Sequence, residues 1–457
     1  MRASGAMKAV ILSAVPVGHA SLTELAGVLR AELEHAGYET SATFELTTLK
    51  LAFCQGEFDC WVKTPGRCRA HDAESDIVAA VHDADALVFL GPLTFGGHGS
   101  VLKRAIDRLL CLLEPFFTQR AALTHHSSRY AHPPRLFAVA WTPKLIAAQA
   151  VTFAELTDAN AINYVSPTTG AVVLDDAGRS AWASMLRRLF SSARVPGQGI
   201  TGRAELREAL LVAAAGDSVV GPLWASRAAI LVGSPKAPGT SASELLARAV
   251  EARLVRAGVA TELFHARAFV HDGDRAEAQA RAMAEAELLV LVSPLYVDAF
   301  PSITTHALEL IAAARAVAPR PGRLAVLVNC GFPEAEQTRT ALRIARHFAD
   351  EAGYAWAGGL PLGGGGVVTS GSDLEHANGP TAHVVEALDL AVPALAAGNV
   401  VPREAIEAMA RAPMPDAFYR LMGDLGWRWQ AHQNGVPQKE LHARALDVLQ
   451  SSGKLSE

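Results

Sequence analysis

Cysteine is scarce in this chain and odd in number, five among 457 residues. A disulfide framework uses even, regularly spaced cysteines, so a reducing compartment, the cytoplasm, is the expected setting. A strong charge of one sign is also missing. The formal net charge is −5 with no basic stripe, which removes nucleic acid from the expected partners, because that affinity rests on clustered Lys and Arg against phosphates. No apolar run approaches the about 20 residues that span a bilayer, so no membrane partner is expected either. The opening "MRASGAMKAVILSAV" reads as the approach to a strand rather than a secretory signal. Two catalytic signatures are absent as well. No G-x-G-x-x-G follows either candidate first strand, which leaves a dinucleotide-type site without support. No G-x-S-x-G elbow occurs, so hydrolase chemistry lacks its motif.

What is present is hydrophobic surface, 50 % of residues, in a chain long enough for two domains and an extension. One pattern is used twice. "KAVILSA" at Lys8–Ala14 and "AAILVGS" at Ala228–Ser234 are short apolar runs that suit strands buried on both faces of a parallel sheet. Each precedes a loop and an amphipathic helix, with Leu22, Leu25, Leu29 and Leu33 on one and Leu246, Val250 and Leu254 on the other. Gly37 and Gly258 are placed to end them. Both helices open with S-x-x-E, Ser21 to Glu24 and Ser241 to Glu244, the capping-box pattern. "DADALVFLGPLTF" at Asp83–Phe95 matches "EAELLVLVSPLYV" at Glu285–Val297 in kind, and "RLFAVAW" at Arg135–Trp141 matches "RLAVLVN" at Arg323–Asn329. Alternating strands and helices imply βαβ units. The expected organisation is two doubly wound α/β domains, 1–198 and 226–398, joined by a linker, 199–225, and followed by a helical extension, 399–457.

In such sheets ligands sit beyond the carboxyl ends of the strands, at the switch point. There "GSPKAPGTSAS" at Gly233–Ser243 offers hydroxyls and free amides before a helix. That is either a cradle for a phosphate monoester or an ordinary capped turn.

The second domain and tail resemble the flavodoxin-like NAD(P)H-dependent FMN reductase and quinone reductase superfamily. The resemblance lies in "GSPKAPGTS", "SPLYVDAFPS", "NCGFPEAEQT", "AGGLPLGGGG" and the tail "MPDAFYRLMGDLGWRWQAHQNGV". The first domain is similar to a branch that carries CxGCFxCWxKTPGxC, here Cys54–Cys68, with "FGG" and "LKRAIDR" within Phe95–Arg108 and "THHSSRYAHPPRL" at Thr124–Leu136. The resemblance implies two tandem flavodoxin-like sheets of strand order 2-1-3-4-5, with FMN as cofactor and NAD(P)H as reductant. It places the FMN phosphate of the second domain on Ser234, Lys236, Thr240, Ser241 and Ser243. The ring contacts would come from Pro294, Leu295, Tyr296 and Val297, with Gly331 and Phe332. In the first domain the matching positions are Ser13 and Ser21, then Pro92, Leu93, Thr94, Phe95 and Gly96. That first loop, "SAVPVGHASLT", departs from the family pattern: it lacks the Arg or Lys, and Val15, Val17 and His19 fill places where small or polar residues are usual.

Within Cys54–Cys68, Glu57 stands where cluster-bearing relatives have a cysteine. Iron–sulfur clusters usually take four thiolates, so no such cluster is expected. A zinc site would need Glu57 or His71 as a further ligand, and a redox dithiol would need lowered thiol pKa values. The leading expectation is structural, with Trp61 packing the loop over the sheet edge and no metal bound. Cys111 in "RLLCLLE" reads as buried filler, His125 and His126 as a surface loop, "LKRAID" at Leu102–Asp107 as a solvated face, and "GGGG" at Gly363–Gly366 as a strand-end turn. In the tail, Phe418, Leu421, Met422, Leu425 and Trp429 form a helical stripe expected to be covered. It would either pack on outer helices or lie across a flavin site.

The function implied is an FMN-dependent NAD(P)H oxidoreductase reducing a small acceptor: a quinone, a nitroaromatic, a flavin or a biosynthetic intermediate. No general acid is identified. The other reading is an electron-transfer or binding protein in which one domain is a cofactor-free structural copy. The partner sets are a small-molecule acceptor and either a homodimer or an intrachain pseudo-dimer.

Overall fold

The computed structural model describes residues 6–217, 224–270 and 273–447. Residues 218–223 of the expected linker and the last ten of the expected extension lie outside it. The chain divides into two compact units. Unit 1 holds 1–121, 125–199 and 421–457, and unit 2 holds 122–124 and 200–420.

Unit 1 carries parallel strands β1 (Met7–Ser13), β2 (Tyr38–Glu45), β3 (Ala86–Thr94), β4 (Arg135–Trp141) and β5 (Thr169–Leu174), in spatial order β2-β1-β3-β4-β5. Unit 2 repeats this with β6 (Arg227–Val232), β7 (Ala260–His265), β8 (Leu288–Pro294), β9 (Arg323–Asn329) and β10 (Ala355–Leu362), in order β7-β6-β8-β9-β10. Both are the order 2-1-3-4-5, so the doubly wound fold read from the apolar runs stands. Helices α1 (Ala20–His35) and α2 (Ala242–Arg256) follow the two first strands. All four leucines of the α1 stripe, and Leu246 and Leu254 of α2, are fully buried, each stabilising the fold by about 2 kcal/mol. Both helices end at glycines of positive φ, Gly37 at 86° and Gly258 at 83°, where a side chain would be strained.

Four expectations are corrected. The N-cap of α1 is His19, whose Nδ1 accepts from the Leu22 amide at 3.3 Å. Ser21 lies inside the helix, and its hydroxyl donates to Asp176 Oδ2 at 3.1 Å instead. The "LKRAID" charges are not solvated, because Lys103 and Asp107 pair with each other at 1 % and 2 % exposure. His125 and His126 sit on a strand, Leu123–Ser128, whose alternation sends them to opposite sides. His125 is buried on Asn163 Oδ1 at 2.8 Å, and His126 lies between Trp61 and Phe117.

The fourth correction concerns the tail helix α3 (Asp416–Gln433). Phe418, Leu421, Met422, Leu425 and Trp429 are all about half exposed or more, 49–64 %. The covered face is the one with the small residue. The Phe117 ring lies 2.3 Å from where a Cβ on Gly423 would stand. Trp427 meets Phe58 and Trp61 edge-on, and Ala431 is fully buried. Trp61 packs with Leu113, Ala431, Val436 and Leu441, and its indole donates to Leu113 O at 3.0 Å.

Candidate active site

The strand-end loops of unit 2 converge on Asn329, at the end of β9. Its Oδ1 accepts from Ser243 Oγ at 2.7 Å, and its carbonyl accepts from the Leu295 amide at 2.9 Å. One residue, through its side chain and its carbonyl, thus joins the start of α2, the loop after β8 and its own loop. Sequence reading missed Asn329, although an Asn closing an otherwise apolar strand is a visible signal.

The first of these loops presents a set of hydrogen-bond donors. Ser241 caps α2, its Oγ accepting from the Glu244 amide at 3.1 Å. Ser234 Oγ accepts from the Lys236 amide at 3.3 Å. Each hydroxyl uses a lone pair there and keeps its proton for a further acceptor. The amides of Ser241, Ala242 and Ser243 find no protein acceptor among the described residues, as helix starts dictate, and neither does that of Ser234 just after β6. Thr240 is exposed and turns its hydroxyl to Ala237 O at 2.6 Å, and Lys236 is half-buried. Glu244 accepts from the Gly239 amide and from Arg248. Burial works to raise its pKa, but those donors outweigh burial and leave the carboxylate below its usual range. Ser241→Ala is expected to cost about 0.5–2 kcal/mol of helix stability and to weaken anion retention. Thermal melts and FMN titration of the variant check both effects.

Pro294, Leu295, Tyr296 and Val297 are half-buried at the next loop, where Tyr296 and Ala299 exchange backbone bonds of 2.9 and 3.1 Å. Val297 and Asp298 adopt positive φ, 43° and 64°. Gly331 is exposed, and Phe332 is half-buried. Glu334, on the same loop and 1 % exposed, accepts from Thr124 Oγ1 at 2.7 Å through one oxygen, while its other oxygen has no partner. Burial pushes its pKa up, with the Thr124 hydroxyl drawing it partly back. Gly363–Gly366 forms the expected turn after β10, with a Cβ on Gly363 only 2.3 Å from Pro333 O. A cavity of about 470 Å³ among Arg207, Glu386, Glu404, Glu407 and Arg411 is lined by none of these loops.

The corresponding place in unit 1 is furnished differently. Ser13 is buried and donates to Glu45 Oε2 at 2.6 Å. Ser21 donates to Asp176 Oδ2 at 3.1 Å and accepts from Arg179 at 2.9 Å, and that carboxylate also accepts from Trp141 Nε1 at 3.1 Å and from Arg179 at 2.8 Å. The Ser21 hydroxyl is thus engaged on both sides by the Asp176–Arg179 ion pair, whereas Ser234 and Ser241 each keep a proton to donate. Pro92, Leu93 and Thr94 are half-buried, and the chain folds back at Phe95 and Gly96 so that Leu93 pairs with His98. His98 lies edge-on to Phe89 and Phe153, and burial drives its pKa to about 3.

The cysteine loop is covered by the aromatic cluster of Phe58, Trp61 and Trp427. Burial raises the Cys54 thiol to about 12 and Cys60 well above the usual value, which withholds the thiolate that redox exchange needs. Cys111 is buried in a 3-10 turn and donates to Glu74 Oε1 at 3.1 Å. Among the described residues no group of three or more His, Cys, Asp or Glu is placed to hold a metal ion. Anaerobic purification with iron and acid-labile sulfide assays is expected to return neither in stoichiometric amount, and near-stoichiometric values of both would overturn the structural reading.

The NADPH-dependent FMN reductase family matches residues 7–132 and 226–356, more than half of the chain. Solved structures similar to it include an NAD(P)H:quinone oxidoreductase from Methanothermobacter marburgensis, at 16 % identity over 41 % of this chain and 99 % of that one, TM-score 0.34. Another is an FMN-dependent NADH-azoreductase from Bacillus anthracis str. Ames Ancestor in complex with FMN, at 13 % identity over 40 % and 98 %, TM-score 0.32. No curated protein matches. No helix among the described residues is long and apolar enough to cross a membrane. With one family match on each sheet, the chain belongs to the NADPH-dependent FMN reductase family and is an NAD(P)H-dependent FMN oxidoreductase that carries its flavodoxin-like unit twice.

Proposed function

We propose that unit 2 holds FMN at its strand ends and reduces a small acceptor there, a quinone, a nitroaromatic, a flavin or a biosynthetic intermediate. The observation that carries this reading is the loop 234–243, with the hydroxyl protons of Ser234 and Ser241, the Ser234 amide and three amides at the start of α2 all without a protein acceptor among the described residues. When bound, FMN supplies the hydride and electron chemistry between NAD(P)H and the acceptor. The chain's own part is to seat the phosphate on Ser234, Ser241 and Ser243 and to fix the loops through Asn329. The half-buried faces of Pro294, Leu295, Tyr296 and Phe332 shield the reacting plane from water. NAD(P)H as donor carries with it the cytoplasmic location.

A second reading gives unit 1 the role of a cofactor-free copy, favoured by Asp176 standing on Ser21. Steady NAD(P)H oxidation with a panel of quinones and nitroaromatics, alongside acid-released flavin per chain, tests both. Turnover with one flavin per chain fits both readings together. Stoichiometric flavin without acceptor turnover would replace the reductase by an electron carrier, and two flavins per chain would remove the cofactor-free copy.

A further inference from the structure

The tail residue Tyr419 reaches into the strand-end loops of unit 2. Its hydroxyl donates to the Gly331 carbonyl at 2.9 Å. The amide of the same peptide, Phe332 N, donates to Cys330 Sγ at 3.3 Å, so the Gly331–Phe332 peptide is held at both ends. The backbone facing the phenol carries no side chains. A Cβ on Gly366 would lie 3.1 Å from Tyr419 Oη, and one on Gly364 would lie 3.3 Å from the ring. The segment leading to Tyr419 is clamped as well. Arg203 pairs with Asp416 and Glu336, Arg207 donates to Ala410 O at 2.9 Å, and Pro413 stands 2.7 Å from the Cβ place of Gly364. Burial pushes the phenol and the Cys330 thiol up, so both remain protonated at neutral pH and Tyr419 remains a donor. On its other side Gly331 is open, with nothing within 4 Å of its Cβ place.

We propose that Tyr419 is a positioning residue of the unit 2 site: it fixes the Gly331–Phe332 peptide that faces the flavin ring and closes one side of the space that admits the acceptor. The proposal rests on the FMN reading above and adds to it a determinant supplied by the tail. A carbonyl tied to a phenol cannot turn its lone pairs elsewhere without losing that bond, so the ring meets a fixed polarity. Loss of the hydroxyl frees the peptide to reorient, and loss of the whole side chain also opens space.

The test uses the full chain with Tyr419→Phe, Tyr419→Ala and, as a neighbour on the same helix, the exposed Phe418→Ala. FMN affinity, the midpoint potential of bound FMN, and kcat/KM with NADPH for a one-ring and a two-ring quinone are measured. Tyr419→Phe should weaken FMN about three- to tenfold, the scale of one neutral hydrogen bond, and shift the potential. Tyr419→Ala should also raise the two-ring to one-ring kcat/KM ratio about tenfold. Phe418→Ala should leave all three quantities unchanged. Wild-type affinity, potential and acceptor ratio in both Tyr419 variants would overturn the proposal, as would the same changes in Phe418→Ala. A wild-type chain that takes no FMN in unit 2 would sink the FMN reading first, and the role of Tyr419 with it, before any variant is compared.

Discussion

Gly233→Ala should strip FMN from the protein and destabilise unit 2, although it adds only one methyl. The glycine ends β6 where two neighbours have closed in completely. A Cβ there would lie 2.6 Å from Ser293 Oγ, 2.7 Å from Ser293 Cβ and 2.8 Å from Thr304 Oγ1. Neither neighbour is a flexible chain end. Both are fully buried, and Thr304 Oγ1 donates to the Gly233 carbonyl at 2.5 Å. Relief therefore requires the strand end to move, at about 1–3 kcal/mol for overpacking a filled core. The residue that moves first is Ser234, the start of the anion loop, so FMN affinity should fall by about tenfold or more, tenfold being 1.4 kcal/mol. Gly331→Ala at the same strand-end region meets open space and should leave stability within about 0.5 kcal/mol. Denaturant melts and FMN titrations of the two variants check the contrast, and an unchanged Gly233→Ala would contradict the packing described here.

Mild acid should destabilise unit 1 strongly. His98 and His125 are 5 % and 3 % exposed, and burial drives their pKa values to about 3 and about 4. A histidine with a folded value below its unfolded one binds a proton only on unfolding. Its contribution is therefore intact above about pH 6.5 and shrinks as pH falls towards the folded value. Between about pH 7 and pH 5 each costs about 2 kcal/mol, so the pair costs about 4 kcal/mol, much of a domain's usual 5–15 kcal/mol. His126, at about 3 but only half-buried between its aromatic neighbours, adds less than a fully enclosed ring. Buried Glu74, whose pKa is raised by burial, offsets part of the loss, because it takes up its proton more readily when folded. Denaturant midpoints measured across this range should fall steadily, and His98→Gln should reduce the slope by about 1 kcal/mol per pH unit. A flat profile would contradict the buried, neutral assignment.

The strands were legible because a run buried on both faces must be apolar throughout, and Val10 to Leu12 and Ile230 to Val232 are. The helix faces of α1 and α2 were legible for the same reason. What escaped reading depends on partners distant in sequence. Ser21 has the spacing of a cap, but Asp176 engages it across 155 residues and His19 takes the cap. The stripe on α3 was read as the buried face, whereas the contact is made where Gly423 admits a ring. Lys103 and Asp107 look like surface charges because only the fold supplies the walls around them. Of the unit 2 site, the serines of the first loop were visible as a motif. Asn329 is visible as the polar end of an apolar strand, but its contact with Ser243 is not, and Glu334 and Tyr419 act through contacts with distant parts of the chain.

The central claim is that FMN sits on the strand-end loops of unit 2. Hydrogen–deuterium exchange of the flavin-stripped chain, with and without added FMN, tests it most directly, since a ligand slows opening of the segments it binds. Protection is predicted at 233–243, 294–300 and 329–332, with the loops 13–21 and 92–98 unchanged. Protection confined to 13–21 and 92–98, with the unit 2 loops exchanging as before, would contradict the account.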